Sequence, residues 1–289
     1  PPALADTLHD LSDGNPLFFI EMLRLLQQDG FIEQQGRVWR LVRPVEDTPL
    51  PKSVESVLLM RLDRLQEDLG RALQYASAAG ERFLSTVLAH VLRTDEFGLE
   101  ERLDVAERVH RLIRTEGELE IHQELATIYQ FAHGLFDDLL YSRLRPKQRV
   151  LLHRRTGTAL EELYQDSAEE IAHQLAFHFS EGRLFDKALH YTMVDAHQAK
   201  ELNAAHEAVV HYKRAQQLME KVEHNPERQL VIDEGLGDTQ ALLGQHDEAL
   251  THYARAIDVA ESVSEPAQHR AALFRKTAML HERKGNYAT

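Results

Sequence analysis

The sequence predicts a mainly α-helical protein with small β-hairpins, and three features of its 289 residues support this prediction. Glycine and proline, which interrupt helices, number only 14 and 9. In the C-terminal half, a pattern of alanine and tyrosine returns after a fixed interval, as helical repeats require. In the middle of the chain, a short segment changes from helical to alternating apolar periodicity, which favours β-structure.

The first 47 residues predict two helices followed by a hairpin. Asn15 can cap the backbone N–H groups of a helix, and Pro16 suits its first turn, where a missing N–H costs nothing. The run 17–26 is apolar on nearly every face, so we expect this helix to be packed on several sides. Phe31-Ile32 and Val38–Leu41 flank a glycine-containing turn and predict two short strands.

Residues 48–145 form a second predicted domain. The stretch 43–51, which overlaps the start of this domain, contains three prolines and predicts a linker. The segment 118–132 alternates apolar and polar residues and predicts a hairpin, the only substantial β-structure expected after Pro51. Apolar residues recur at helical spacing on both sides of this segment. The predicted helices cover 53–66, 68–79, 83–92, 104–114 and 134–143. Helices, a hairpin and a closing helix in this order are typical of a winged-helix domain.

Residues 146–289 predict an α-solenoid built from repeated helix pairs. A triad of alanine, tyrosine and alanine recurs 41 residues later, at Ala208, Tyr212 and Ala215 and at Ala249, Tyr253 and Ala256. In a solenoid of this kind each helix pair buries its apolar face against the next pair. Gly285 and Tyr287 occupy the turn positions of a further repeat, so we expect the chain to stop within it. The predicted helices cover 147–164, 168–181, 184–201, 203–221, 227–243, 246–262 and 266–284.

Two families are similar to parts of this sequence. The stretch "LGDTQALLGQHDEALTHYARAIDVA" resembles a tetratricopeptide repeat, which implies a right-handed superhelix, although the 41-residue interval exceeds the usual period of about 34. The stretches "GNPLFFIEMLRLLQQDGFI", "LPKSVESVLLMRLDRLQED" and "YQFAHGLFDDLLYSRLRPKQRVLLHRRTGTALEELY" resemble the C-terminal part of STAND-class regulatory ATPases. These ATPases belong to large bacterial regulators that also carry LuxR-type, SARP-type, kinase or cyclase domains.

The STAND resemblance assigns a role to the first 47 residues, as a remnant of the helical lid of a nucleotide-binding domain. A Gly-x-Pro motif in that lid lies near the adenine of bound nucleotide, and Gly14, Asn15 and Pro16 match this motif. The sequence contains no Walker A pattern and no glycine cluster that could cradle phosphates. We therefore expect a non-catalytic fragment that neither hydrolyses ATP nor binds it tightly, whereas the parent protein would bind ATP or ADP.

The tetratricopeptide resemblance also predicts a binding surface. In such repeats the first helix of each pair lines the concave face, and aligning Ala249 with the family's alanine places eight candidate partner-binding residues there. They are Val231, Glu234, Asp238, Leu242, Arg275, Met279, Glu282 and Arg283. The face is acidic in its first part and more basic at its end, which favours a protein or peptide segment, or a small effector. The predicted function is regulation and protein interaction within a multidomain STAND-type signalling ATPase, a transcriptional regulator.

The alternative function is DNA binding by the winged helix. Its recognition helix would lie at 104–114 and carry Arg108, Arg111 and Arg114. However, the chain has a formal net charge of −14, spread evenly, and no segment has the basic character of a phosphate-backbone binder. We therefore expect no nucleic acid among the partners of this chain. The sequence also has no apolar run long enough to span a membrane and no visible signal peptide, so a cytoplasmic location is the default.

The 17 histidines invite a metal hypothesis, but their spacing along single helices argues against it. His206 and His211 are five residues apart, as are His173 and His178, and this interval turns two side chains of one helix away from each other. A zinc-protease motif would need an interval of four. The sequence therefore predicts no metal site, and its paired carboxylates are interpreted as solvated helix faces.

Overall fold

The computed structural model describes residues 8–36, 38–43, 50–263, 266–283 and 285. The chain divides into two compact units, Pro1–Arg145 and Pro146–Thr289. In the described residues, unit 1 combines helices with small antiparallel sheets, whereas unit 2 is helical throughout. The prediction of a mainly helical fold with small hairpins is thus confirmed. None of the described helices is both long enough and apolar enough to cross a membrane.

Residues 8–12 of unit 1 are helical, and a capped helix and a hairpin follow. Helix α1 (Pro16–Gln28) starts as predicted, because the Asn15 side chain accepts a hydrogen bond of 3.2 Å from the backbone N–H of Phe18. Strands β1 (Ile32–Gln35) and β2 (Val38–Leu41) pair antiparallel, with Ile32 opposite Leu41. Buried side chains of α1, together with Ile32, form a small core that also includes Val57 from the following helix.

The rest of unit 1 surrounds a three-stranded antiparallel sheet. The elements are α2 (Val54–Leu62), α3 (Glu67–Ala76), β3 (Arg82–Leu84), α4 (Ser85–Leu92), α5 (Glu96–Arg108), β4 (Ile113–Ile121), β5 (Glu124–Phe131) and α6 (Gly134–Ser142). The sheet order is β3-β5-β4, so the middle strand comes last in sequence. The helices contribute buried leucines and alanines that pack with Phe83, Tyr129 and Phe131 of the sheet into one core.

The predicted hairpin at 118–132 is confirmed, but its first strand begins earlier, and the predicted helix at 104–114 is wrong. Helix α5 ends at Arg108, Arg111 has a φ of +52°, and β4 begins at Ile113. The apolar residues at helical spacing in this segment belong to two different elements and the connection between them. Val109 is 64% exposed, whereas Leu112 and Ile113 are buried where the chain enters the sheet. The short strand β3 was not predicted, because three residues are too few for a periodicity.

Unit 2 consists of consecutive helices that each pack against the next. Their bounds agree with the predicted helices within a few residues, except that the segment before α8 is a 3₁₀ helix, Gln165–Ile171. The α-helices are α7 (Pro146–Tyr164), α8 (Ala172–Glu181), α9 (Phe185–Glu201), α10 (Ala205–Met219), α11 (Pro226–Leu242), α12 (His246–Ser262) and α13 (Ala267–Arg283).

The recurring alanines and tyrosines of the sequence lie at the contacts between these helices. Ala208, Ala215, Ala249 and Ala256 are fully buried, as the repeat pattern suggested. The ring of Tyr212 lies against Gly235 of α11, and the ring of Tyr253 lies against Gly237 of the same helix. A side chain at either glycine would collide with the ring, so α11 can receive a tyrosine from each neighbouring helix only because these positions lack a Cβ.

Candidate functional site

The predicted binding face of unit 2 divides into exposed and paired residues. Val231 and Leu242 of α11 and Met279 of α13 are exposed apolar side chains, with 65% of Leu242 accessible. Arg275, Glu282 and Arg283 of α13 are also exposed. Exposed methionine and aliphatic side chains beside charges of both signs can contact the apolar and polar parts of a peptide or protein.

Glu234 and Asp238 are only partly exposed, whereas an acidic binding surface would present them fully to solvent. Lys276 of α13 lies between them, with its Nζ 2.8 Å from Glu234 Oε1 and 2.6 Å from Asp238 Oδ1. Lys200 of α9 places its Nζ 2.5 Å from Asp238 Oδ2. The Tyr253 hydroxyl donates to Asp238 at 2.7 Å, and His269 Nε2 lies 2.8 Å from Glu234 Oε2. We call these six side chains the carboxylate–lysine cluster.

The carboxylate–lysine cluster neutralises its own charge. Burial disfavours the ionised forms of Glu234 and Asp238, but hydrogen bonds from the lysines outweigh it and lower the pKa of both carboxyl groups. Burial acts against the charge of Lys276 as well, and the two carboxylates still raise its pKa. Two lysines therefore balance two carboxylates, and the expectation of an acidic first part of the face is wrong. The cluster joins four helices, α9, α11, α12 and α13.

A pocket of about 380 Å³ lies elsewhere in unit 2, among α10, α11 and α12. Its lining consists of Gln216, Met219, Glu220, His224, Gln229 and Arg255. Asp233, which is fully buried, is hydrogen-bonded to two of the lining side chains, Gln216 and Gln229, and its Oδ1 lies 2.8 Å from His252 Nδ1. Since polar partners surround this carboxylate, the network holds the lining residues in place. Nothing in the sequence distinguished Asp233 from the other acidic residues of α11.

The predicted lid motif is accessible in the structure. Gly14, Asn15 and Pro16 are all exposed, and Gly14 adopts a φ of +71° that favours glycine at the turn before α1. The side chain of Asn15 is engaged as the helix cap. Contact of this motif with nucleotide stays a prediction that concerns the parent protein.

The arginines of the supposed recognition helix do not share an element: Arg108 is on α5, Arg111 is in the connection after it, and Arg114 is on β4. Two of the three lie close to acidic residues. Arg108 Nε lies 2.6 Å from Asp104 Oδ1 within α5. Arg114 is on β4, where its guanidinium bonds Gln130 and lies 3.6 Å from Glu116. Since the three side chains share no helix face, they cannot read a groove in the way that the sequence suggested.

Two pairs of histidines meet across helices rather than along them. His153 of α7 and His178 of α8 are buried with their Nδ1 atoms 3.0 Å apart. His173 of α8 and His211 of α10 both approach the same oxygen of Asp195. Spacing along single helices, on which the sequence argument relied, could not detect either group.

The chain matches no protein-family model, no curated protein and no solved structure. The assignment of a function therefore depends on the residues and the geometry described above.

Proposed function

We propose that this chain is a regulatory, protein-interaction part of a STAND-type signalling ATPase, a transcriptional regulator that acts in the cytoplasm. In this proposal, residues 1–47 are a lid remnant, 48–145 a winged helix and 146–289 tetratricopeptide-like repeats. The chain itself performs no catalysis and carries no cofactor, and ATP or ADP would bind to the catalytic half of the parent. The stretches that resemble STAND regulators support the proposal, as does the succession of helices in unit 2.

Two structural features support the finer fold assignment. In unit 2, Tyr212 and Tyr253 recur at the repeat interval, and both pack against glycines of α11, which is the close helix contact that tetratricopeptide-like repeats use. In unit 1, helices α3 to α5 accompany a sheet whose last two strands form a hairpin, an arrangement that a winged helix also has. The paired arginines of α5 and β4 favour a structural role for this domain.

The observation that carries the functional proposal is the set of exposed apolar side chains on α11 and α13. Val231, Leu242 and Met279 lie on the face that the repeat alignment selects, three or four residues along their helices from members of the carboxylate–lysine cluster. Apolar anchors beside exposed Arg275, Glu282 and Arg283 suit a peptide or protein segment better than a uniformly anionic nucleic acid. Binding there would regulate the parent only if the partner prefers one of its conformational states.

The triple substitution Val231→Ser, Leu242→Ser and Met279→Ser tests this face. Peptides are selected from a random display library against the wild-type chain, and their affinities for the variants are measured by fluorescence anisotropy. We expect the triple variant to bind at least about tenfold more weakly, because three apolar anchors lose contact area, each worth on the order of 1 kcal/mol.

The matched control is Phe177→Ser, Leu202→Ser and Val210→Ser, three exposed apolar side chains of unit 2 that lie outside the predicted face. This control should bind the selected peptides as the wild type does. If the library yields no binders, or if the two triple variants lose affinity equally, the face is not the binding site.

The alternative, DNA binding by the winged helix, predicts a different dependence of affinity on salt. Phosphate neutralisation would give an affinity that falls steeply with salt. A gel shift with duplex DNA at several salt concentrations separates the two proposals, and we expect no shift at any of them.

A further inference from the structure

Three metal-ligating side chains from three successive helices converge in unit 2. His173 Nδ1 of α8 lies 3.0 Å from Asp195 Oδ2 of α9, and His211 Nδ1 of α10 lies 3.3 Å from the same oxygen. One donor atom from each residue lies within 4.8 Å of the other two. We call these residues the His–Asp–His cluster. Among the described residues it is the one group of three such side chains that comes this close together.

The spacing of the cluster fits a small divalent cation. In a tetrahedral zinc site, bonds of about 2.0–2.1 Å place neighbouring ligand atoms about 3.3 Å apart. The two nitrogen–oxygen distances, 3.0 and 3.3 Å, are close to this length, and the three donor atoms all lie within 4.8 Å of one another. The rings cross at 78° with their centroids 5.7 Å apart, and the exposed ring of His173 can turn toward the site without disturbing the core.

The exposure of the three ligands favours an ion that enters from solvent and keeps one coordination position for water. The side chain of His173 is 72% exposed, whereas those of Asp195 and His211 are mostly buried. Two ligands are thus held by their helices, and the third lies at the solvent side as an entry point. Three protein ligands with a fourth position left to water is the pattern of zinc sites that are not closed.

The donor types also select among ions. Imidazole nitrogen suits zinc, copper, nickel and iron, whereas calcium and magnesium prefer oxygen ligands alone. Two imidazoles and one carboxylate therefore disfavour the hard alkaline-earth cations. The chain has no cysteine, so no thiolate competes with these three side chains for the ion.

We propose that His173, Asp195 and His211 bind a divalent cation of the zinc class, which joins helices α8, α9 and α10. The ligands are separated by 22 and 16 residues along the chain, so the ion would link three helices that follow one another in sequence. Binding to the folded state alone would raise the stability of unit 2 in proportion to the logarithm of the metal concentration. The proposal is independent of the peptide-binding function, because the cluster shares no residue with the predicted face.

Zinc itself is the probe in the first test. Isothermal titration calorimetry of the metal-free chain with Zn²⁺ should give one site with a dissociation constant in the micromolar range or below. Asp195→Asn and His211→Asn should each weaken this site by at least about tenfold, since even altered support of a ligand costs that much. A thermal melt should shift upward with Zn²⁺ in the wild type, less in the variants, and not with Mg²⁺.

Two further variants separate metal binding from general effects on the fold. His173→Asn removes one of the three ligands, so it should abolish tight binding of Zn²⁺. Because this side chain is mostly exposed, the circular dichroism spectrum should stay unchanged. His197→Asn removes an exposed histidine two residues after Asp195 that lies 3.3 Å from Glu201, and it should bind Zn²⁺ as the wild type does. If wild type and His173→Asn bind Zn²⁺ equally, or if no site tighter than about 100 µM is found, the three residues form only a hydrogen-bonded triad.

Discussion

The ion pair between Glu21 and Arg61 shows how one contact can stabilise unit 1. Both side chains are almost completely buried, and the guanidinium of Arg61 also donates to the backbone carbonyl of His110. The Arg61 guanidinium lies over the ring of Phe136, with its carbon 5.4 Å from the ring centre. Burial, with the charge of Arg111 as a lesser cause, lowers the pKa of Arg61 to about 10, so the arginine stays charged at neutral pH.

Removing only one member of this pair should be far worse than removing both. Arg61→Met would leave Glu21 buried with Arg24 as its remaining partner and should cost about 3 kcal/mol of unfolding free energy. The double variant Glu21→Leu with Arg61→Met should recover most of this loss, because no unpaired charge remains. Urea unfolding followed by the fluorescence of Trp39, the single tryptophan, reports on unit 1.

The control for this prediction is a second ion pair between the same elements. Arg64, just after α2, makes a two-pronged contact with Asp29, just after α1, at the surface. Arg64→Met should cost less than about 1 kcal/mol, because exposed pairs gain little. Equal losses for Arg61→Met and Arg64→Met would contradict the assignment of the large effect to burial.

Single residues differ in how well the sequence predicts their roles. The cap at Asn15 was predictable, because capping is a local property of four consecutive residues. The partners that Glu21, His153 and Asp195 have on other helices were not, because no spacing along one helix reveals a contact between two. The eight face residues came from a repeat alignment that could not anticipate Lys276 between Glu234 and Asp238.

At the scale of elements, the long helices were predictable and the short segments were not. The helices of unit 2 carry several turns of apolar periodicity between glycine or proline breaks, so their bounds follow closely from the sequence. The segment 104–114 failed because valines near the end of α5 and the first residues of β4 together imitate one helical face. Propensity alone cannot separate such a junction, since burial decides which residues belong to which element.

The glycines of α11 allow a direct test of the packing between repeat helices. A Cβ built at Gly237 would lie 2.5 Å from Cε1 of Tyr253, and the hydroxyl of this tyrosine is fixed by Asp238. Overpacking by Gly237→Ala should cost about 1–3 kcal/mol. After a gain of about 1 kcal/mol in helix propensity, we expect a net destabilisation of unit 2 of up to about 2 kcal/mol. The loss is measured by urea unfolding with circular dichroism detection.

Gly70 of α3 is the matched control for this substitution. It also lies within a helix, but a Cβ there would meet only Leu65 at an ordinary distance of 3.8 Å. Gly70→Ala should stabilise the protein by up to about 1 kcal/mol. A stabilising effect of Gly237→Ala would mean that the Tyr253 ring can move aside, and the close contact would then not define the repeat packing.

At the scale of the whole molecule, each of the two units contains a titratable group whose pKa is shifted by burial, and the two groups respond oppositely to pH. His178 is buried, whereas Asp137 is half-buried. In unit 2, burial lowers the pKa of His178 to about 3, and the nearby His153 adds to this effect. In unit 1, burial raises the pKa of Asp137 to about 7, with smaller contributions from Asp138 and Glu81. Each group thus remains neutral in the folded chain at a pH where it is charged in the unfolded chain.

The direction of each effect follows from proton uptake. Below about pH 6.5 the unfolded chain protonates His178 while the folded chain does not, so unit 2 loses stability as the pH falls from 6.5 toward 3. Above about pH 4 the unfolded chain releases the proton of Asp137 while the folded chain keeps it, so unit 1 loses stability as the pH rises from 4 toward 7. Acid should therefore weaken unit 2 while the Asp137 contribution protects unit 1.

Two substitutions isolate these contributions from all other titrating groups. His178→Asn keeps a side chain that can donate a hydrogen bond to His153 or accept one from it but cannot be protonated, and Asp137→Asn removes the carboxyl group. Urea unfolding at pH 5 and pH 7.5 is followed by Trp39 fluorescence for unit 1 and by circular dichroism for the remaining transition. We expect His178→Asn to reduce the loss of unit 2 stability at pH 5, and Asp137→Asn to stabilise unit 1 more at pH 7.5 than at pH 5.

The exposed controls His197→Asn and Asp68→Asn should keep the wild-type pH dependence. If His178→Asn and Asp137→Asn also keep it, burial does not hold these two groups neutral.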